Sequence, residues 1–386
     1  MKPLIKYTGG KSRELPYIYK YLPDEIINSD INKRSNYYEP FVGGGAVYFS
    51  LLNYDYFQHY YLNDKSLNLI QFYKWLQHND TRRMFITEIN SVEKYWKLLD
   101  SNDLSDVMQI ASNLINSKTE KNTREIDFAN ALTETKISNI FALNQIDKNS
   151  LYLTEFKNSL KWIKKTFTSL LKRKLNLIRK HNYTLSDFNI RIAMKEIVYD
   201  YARKQCNADE YVLSPLEQQI SYYLVKELAY SGMSRFNKQG KLNMPYGGGS
   251  YNKKNLASIN NLILSSEFDI GMQNTLFSCH DFADFISSHE LTEHDFIFLD
   301  PPYDTKFSNY ANNTFDENDQ KRLADYLKLI PAKWMLIVKN TPLIANLYLN
   351  SDKRYRIIRY KKKYNVSFKN RQQGNTHVEH LLIMNY

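Results

Sequence analysis

A mostly parallel α/β sheet with helices on both faces, closed by an antiparallel hairpin and interrupted by a long helical insertion, is predicted by three features of this sequence. Short β-like segments cluster at the two ends of the chain. Helix-length patterns separate several of them, as crossover connections between parallel strands require. Between the clusters, residues ~80 to 200 carry few glycines or prolines and read as long polar helices.

In chain order, YYEPF (37–41) and HYYLN (59–63) form the first cluster. In the helical stretch, KWIKKTFTSLLKRKLNLIRK (161–180) places Trp162, Ile163, Phe167, Leu170, Leu171, Leu175 and Ile178 near helical spacing, opposite a strongly basic face. That pattern describes a core-packing helix first and a phosphate-tracking surface second. TLFS (275–278), DFIFL (295–299), KWMLIV (333–338), YRIIRY (355–360) and HLLIMN (380–385) make the second cluster. The last two flank a polar connection and read as the closing hairpin. No repeat or low-complexity linker divides the chain. The expected plan is one domain built from residues 1–75 and 270–386, with 76–269 inserted.

The 386 residues are ample for a buried core, and 43% hydrophobic with 24% charged is ordinary for a globular chain. The charge balance is not ordinary. Fifty-two Lys and Arg face 41 Asp and Glu, a net charge of +11. Such an excess favours a polyanionic partner, nucleic acid first, although a chain rich in Lys, Asn, Ile and Tyr throughout weakens charge as an argument by itself. Cys206 and Cys279 stand far apart and indicate neither a disulfide framework nor a zinc cluster. No early apolar run resembles a signal peptide, and WMLIV (334–338) is too short to span a bilayer. A reduced, soluble, cytoplasmic protein without a metal is expected.

KYTGGKS (6–12) ends like a phosphate loop, but that motif needs a glycine where Ile5 stands, between a strand and a long helix. The spacing excludes it. EPFVGGGAVYFSLL (39–52) follows the first strand; Gly43 and Gly45 fit a dinucleotide fingerprint, whereas Tyr48 holds the third position. A glycine turn at the carboxyl end of a first parallel strand leaves room for a nucleoside near the backbone, and Asp64, about 20 residues on, stands where an acidic group holds ribose hydroxyls. Alone, each is a turn or a cap. Together they point to a nucleoside.

DFIFLDPPYDT carries more. Asp300-Pro301-Pro302-Tyr303 follows a strongly apolar strand, and two prolines there cannot extend a ladder. The loop is thereby fixed at the edge where open α/β sheets bind ligands. An exocyclic amino group of a nucleobase is a poor nucleophile, because its lone pair is delocalised into the ring. A carboxylate and a proline carbonyl, Asp300 and Pro301, can accept both amino hydrogens and draw the nitrogen toward tetrahedral geometry. Tyr303 offers a face on which an extruded base stacks. A sulfonium methyl group held in line would complete the displacement by orientation and electrostatics, with no metal.

At these residues the chain resembles the Dam-type DNA adenine methyltransferases, in which target recognition lies between cofactor and catalytic halves of a Rossmann-like methyltransferase sheet. KYTGGK resembles the N-terminal cofactor motif, EPFVGGG the glycine motif, LND (62–64) the acidic motif, HDFADF (280–285) the pocket motif and DPPY the catalytic motif. AYSGMSRFNKQGKLNMPYG (229–247) resembles the DNA-reading hairpin, within a mainly helical target-recognition region. The resemblance implies transfer of the methyl group of S-adenosylmethionine to a flipped adenine in double-stranded DNA. It assigns Tyr7, Lys11, Glu39, Phe41, Gly43, Gly45, Asp64, Asp281, Phe282 and Asp300 to the cofactor side. Lys6, Tyr230, Ser231, Met233 and Arg235 fall to DNA. For Arg235, a bidentate contact to guanine and a phosphate clamp stand equally. Asn243, Pro245 and Gly247 to Gly249 shape the hairpin, while lysines of KRYRIIRYKKK (353–363) meet phosphates. Tyr310, Asn312 and Asn313 lie in a polar loop expected to close on DNA. The implied setting is restriction–modification or an orphan enzyme, monomeric in solution, with any restriction endonuclease of the system not stably attached.

Residues ~80 to 200 exceed what that resemblance explains. Four rival readings compete with it, one of them an adenine in RNA, which the hairpin resemblance disfavours against duplex DNA. A nuclease would rest on Asp127 and Glu134-x-Lys136, which fall on helical rather than strand patterns. A non-catalytic DNA-binding scaffold conflicts with an intact DPPY, both glycines and Asp64. Cytosine amino methylation uses similar chemistry but more often begins its motif with Ser.

Overall fold

The structure, a computed structural model, describes all residues except 8, 29–33, 209–212, 233–234, 304–314, 351–354 and 364–376. The chain forms two compact units. The first comprises Met1–His78, Met233–Lys241 and Asn261–Tyr386, the second Asn79–Gly232 and Leu242–Asn260. Against the expected insertion of 76–269, residues 76–78, 235–241 and 261–269 thus group with the sheet.

The first unit holds a seven-stranded sheet: β1 (Ser35–Glu39), β2 (Phe57–Asn63), β3 (Thr275–Ser278), β4 (Phe296–Leu299), β5 (Lys333–Lys339), β6 (Arg356–Lys363) and β7 (His377–Met384), in the order β3-β2-β1-β4-β5-β7-β6. The first five pair in parallel; β7 is antiparallel to both β5 and β6. All seven expected strands are present. Every residue of β4 is buried, as expected of a central parallel strand covered on both faces. β1 ends at Glu39, because Pro40 has no N–H to continue the ladder.

On one face, Tyr38, Ile297, Leu299, Trp334 and Leu336 pack with Phe285, Leu323 and Leu327 from the helices Phe282–Ser287 and Glu317–Leu329. On the other, Tyr37, Phe57, Tyr60 and Phe296 form an aromatic layer with ring centroids 5.1 to 6.2 Å apart. Strand order reverses between β1 and β4. The crevice outside their carboxyl ends is the topological switch point, where such sheets take ligands.

The second unit is helical. Its main helices are Asn79–Ser101, Leu160–Lys180, Asp187–Cys206 and Pro215–Leu228. The last begins with Pro215 behind a Ser214/Glu217 capping box. In Leu160–Lys180 the structure buries Ile163, Phe167, Leu170, Leu171, Leu175 and Ile178. Trp162 is only half-buried, since its position falls about 100° from the Ile163 stripe; its ring packs 5.8 Å from that of Tyr201. Asp127, Glu134 and Lys136 lie on the helices Lys121–Ala131 and Glu134–Ile140. Among the described residues, no helix is long and apolar enough to cross a membrane.

Candidate active site

The register Tyr38↔Ile297 sets Pro40 level with Leu299, so the segments leaving β1 and β4 emerge side by side. Asp300 heads the one, Phe41 and the glycines the other. Lys11 reaches this crevice from the N-terminal segment. Its Nζ donates to Asp300 Oδ2 at 2.5 Å, to Gly9 O at 3.0 Å and to the Tyr303 hydroxyl at 3.1 Å. An ammonium has three donors, and all three are used. The Lys11 side chain is only 3% exposed, that of Asp300 20%.

Burial is the main influence on Asp300 and raises its pKa, against the pull of Lys11 and then Lys362. Glu39 accepts from Tyr37 Oη at 2.8 Å, and burial pushes it well above the usual carboxylate range, favouring the neutral acid. Pro301 is buried, and the Pro302 carbonyl accepts from Gln320 Nε2 at 2.9 Å. Gln320, which no sequence motif marks, thus anchors the DPPY backbone from the helix Glu317–Leu329.

The glycine turn serves two needs. Gly43 and Gly45 have φ of 48° and 69°, the left-handed region glycine tolerates best. Gly44 is needed for space: a Cβ there would stand 2.8 Å from Tyr7 Cβ and 3.2 Å from the Ile5 carbonyl. Tyr7 therefore lies directly against the turn, and its phenol is pushed up by burial and then by the Asp64 charge. Gly44→Ala is expected to cost about 1–3 kcal/mol by overpacking, read as a lowered urea midpoint with unchanged slope.

Asp64 Oδ2 accepts the Gly43 N–H at 3.0 Å and Oδ1 the Ser66 N–H at 2.9 Å, so the acidic motif is bound to the glycine motif. Tyr73 Oη donates to the Gly43 carbonyl at 2.7 Å. Asn63 ties three segments together. Its Nδ2 donates to Pro40 O (3.1 Å) and His280 O (3.0 Å), and its Oδ1 accepts from His280 N (2.9 Å) and Ser278 Oγ (3.0 Å). In sequence the LND motif points to Asp64 alone, yet its asparagine aligns β1, β2 and β3 at the site.

Asp281 caps the helix Phe282–Ser287 through the Ala283 N–H at 3.0 Å and pairs with Arg322 at 2.8 Å. Phe282 is nearly buried, its ring 5.6 Å from those of Phe41 and Phe315, with the Arg322 guanidinium 5.0 Å away over its face. Arg322 is a further member that sequence reasoning missed.

Beyond the Lys11–Asp300 pair lies a second one, between Lys362 of β6 and Glu14. Both side chains are largely shielded from solvent. The closing hairpin also brings His380, fully buried and paired in register with Tyr360, against Tyr303 at 5.4 Å between ring centroids. Burial, then Lys362, Lys11 and Lys339, lowers His380 to about 3, so it packs as a neutral ring. The hairpin is thus one wall of the site, a role its basic sequence concealed.

Of the residues assigned to DNA, Lys6 and Arg235 are exposed in the sheet unit, and Tyr230 is exposed in the helical unit. Met233 and the side chain of Ser231 lie outside the described residues, as do Tyr310, Asn312 and Asn313. In the sheet unit, Asn237 Oδ1 accepts from Gln239 N and Lys241 N, folding a tight turn that Gly240 (φ 74°) completes. In the helical unit, Ala229 bridges Tyr246, and the Tyr251 ring fills the space that a Cβ on Gly247 would need.

A Rossmann-like sheet with a lysine-held DPPY loop beside an acid-linked glycine turn defines a methyltransferase of amino groups. The model of the D12 class N6 adenine-specific DNA methyltransferases matches residues 7–200 and 181–366, most of the chain. The chain belongs to that family and is an adenine-specific DNA methyltransferase, and family membership implies use of S-adenosylmethionine. It is 24% identical to the type II methyltransferase M.MjaIII of Methanocaldococcus jannaschii over all of this chain and 99% of that one. It is 25% identical to the type II methyltransferase M.CviBI of Paramecium bursaria Chlorella virus NC1A over 53% of this chain and 82% of the relative. The retron Ec67 DNA adenine methylase of Escherichia coli is 32% identical over 46% of this chain and 59% of its own.

Proposed function

We propose that the crevice at β1 and β4 holds S-adenosylmethionine beside an adenine turned out of double-stranded DNA, and that Asp300 and the Pro301 carbonyl prepare the adenine amino group. The observation that carries this reading is the Lys11–Asp300–Tyr303 constellation at the end of β4. The residues present fit the cofactor. A turn of three glycines, Gly43 and Gly45 left-handed and Gly44 and Gly45 without room for a Cβ, allows close approach of a nucleoside, and the Asp64 carboxylate beside it suits ribose hydroxyls. With its three donors committed, Lys11 has none for a phosphate, which suits a nucleoside cofactor lacking one. Tyr7, Glu39, Phe41, Asp281 and Phe282 would line the remaining walls.

When bound, the cofactor supplies an electrophilic sulfonium methyl group. The protein's part is to bind, orient and polarise. Asp300 accepts one amino hydrogen of the adenine and the Pro301 carbonyl the other, freeing the nitrogen lone pair. As that nitrogen gains positive charge, the Asp300 carboxylate, kept ionised by Lys11, stabilises it, and the nitrogen then releases one of its two hydrogens as a proton to solvent. Tyr303, its hydroxyl held by Lys11, presents its ring to the base.

Recognition falls to the inserted residues 76–269 with the hairpin near 229–250, Tyr230, Ser231, Met233 and Arg235 contacting the duplex and Lys6 assisting. The setting is restriction–modification, or an orphan enzyme, in the cytoplasm, by a monomer needing no metal. The test is incubation with duplex DNA and labelled S-adenosylmethionine, followed by mass spectrometry of the nucleosides. N6-methyladenine is expected. N4-methylcytosine in its place, or no methylated base across varied DNA, would sink the proposal.

A further inference from the structure

We propose that the basic face of the helix Leu160–Lys180 is a docking surface for the sugar-phosphate backbone of the DNA substrate. Lys161, Lys164, Lys165, Thr168, Ser169 and Lys172 follow one another at i, i+3, i+4, i+7, i+8 and i+11. That spacing draws a single line along the helix, about 16 Å long at 1.5 Å per residue. The buried stripe from Ile163 to Ile178 adjoins this line, which runs along the border of the packed face: Lys161, Lys165 and Ser169 are exposed, and Lys164, Thr168 and Lys172 are half-buried.

Three observations separate this face from an ordinary solvated one. The helix carries eight lysines and arginines and no aspartate or glutamate. A solvated face more often mixes the signs, because like charges at i and i+4, such as Lys161 and Lys165, repel. Neighbouring helices do not make up the deficit. Glu125 takes Lys172 at 3.2 Å and Glu196 takes Lys174 at 2.7 Å, but Lys161, Lys164 and Lys165 have no ion-pair partner among the described residues. Finally, the line borders an open groove of about 330 Å³, closed on its far side by Ala129 and Glu134. Thr168 lines this groove, and its hydroxyl oxygen is buried without a hydrogen-bond partner among the described residues. Glu134 is the one acidic group of the rim.

Ammonium groups interleaved with hydroxyls are the donors that proteins place on phosphate oxygens, giving affinity and register without reading sequence. A line of that length can meet several phosphates of the duplex backbone. The polyanion is duplex DNA because the chain is an adenine-specific DNA methyltransferase, and the inference rests on that reading.

The test compares the wild type with the triple variant Lys161→Gln, Lys164→Gln, Lys165→Gln. A comparator, Lys94→Gln, Lys148→Gln, Lys253→Gln, removes the same net charge from exposed positions elsewhere in the helical unit. Binding to a labelled duplex substrate is measured against salt, and single-turnover methylation at saturating DNA. For the first triple variant, the slope of log K against log[salt] should fall by about 2–3, near 0.9 for each phosphate no longer neutralised. Its saturated rate should stay within about twofold of the wild type, a residual effect of under 1 kcal/mol on the barrier. The comparator should keep the wild-type slope. Lys165→Gln alone should lower the slope by about 1, which guards against misfolding of the triple variant. An unchanged slope in both Lys161/164/165 variants, or an equal fall in the comparator, overturns the proposal while methylation by the wild type stands. Failure of the wild type to methylate DNA removes the underlying reading instead.

Discussion

Asp300→Ala is expected to lower the methylation rate by at least about 10³-fold, comparable to losing a preorganised group that meets charge only in the transition state. The reason lies in two roles joined in one side chain. Its carboxylate is the proposed acceptor of an amino hydrogen, and it is the anion that Lys11 holds at 2.5 Å. Truncation removes the acceptor and leaves the Lys11 ammonium, 3% exposed, with only a carbonyl and a phenol. Breaking a buried pair in this way costs about 3 kcal/mol, near the low end of the usual range, since Asp300 itself keeps some exposure. Asp300→Asn separates the roles. It preserves shape, but its amide NH₂ points a donor where the base or Lys11 needs an acceptor, and a loss of about 10²–10³-fold is expected. If the loss is in chemistry, rate at saturation falls while cofactor affinity changes little. Single-turnover assays at saturating DNA, with equilibrium dialysis of the cofactor, give both numbers. Methylated adenine formed by Asp300→Ala at near the wild-type rate would defeat the assignment.

Much of this site was written in local sequence, and the part that was not is distributed through contacts between distant segments. The strands were legible because buried parallel strands such as FIFL are unbroken apolar runs with turn residues at their ends. Asp300, Gly43, Gly45 and Asp64 were legible because their neighbours constrain the backbone: two prolines, a glycine run, a strand end. Lys11 could be placed in the pocket only through the family resemblance, and nothing in KYTGGKS says that its partner stands 289 positions away. Gln320, Asn63 and Tyr73 act through bonds to backbone carbonyls, which any polar side chain at the right point in space can make. The hairpin advertises its lysines as a phosphate-facing surface, whereas Lys362 and His380 turn inward behind DPPY. A strand's alternation shows which residues share a face, but not which face meets the site. The helical unit was legible as helices and opaque as to purpose, because a basic stripe looks alike in sequence whether or not its charges are neutralised by neighbours.

Lys11→Met is expected to move the acid limb of the pH–rate profile to higher pH, leaving the enzyme active mainly on the alkaline side. In the wild type, burial raises Asp300 above its ordinary value, while Lys11 and then Lys362 oppose the rise and Glu14 adds to it. The sign follows from which form each process needs. Protonated Asp300 contributes stability that is complete below the ordinary aspartate value and is lost as pH rises through the raised folded one. Activity runs the opposite way, because the ionised form accepts the amino hydrogen; the rate therefore has an acid limb at the raised value. Removing Lys11 deletes the largest opposing influence, so the folded value climbs further and the acid limb moves to higher pH. At neutral pH the rate should drop by about 10²–10³-fold and recover in part as pH is raised. Lys11→Arg should not restore it, because a planar guanidinium cannot aim donors at Asp300, Gly9 O and Tyr303 as a tetrahedral ammonium does. Lys362→Met, one ion pair removed from the reacting group, should shift the same limb in the same direction by less. The measurement is the pH profile of single-turnover methylation for the wild type and the three variants. Profiles lowered in parallel, with the acid limb unmoved, would mean that Lys11 only shapes the pocket and does not hold the charge of Asp300.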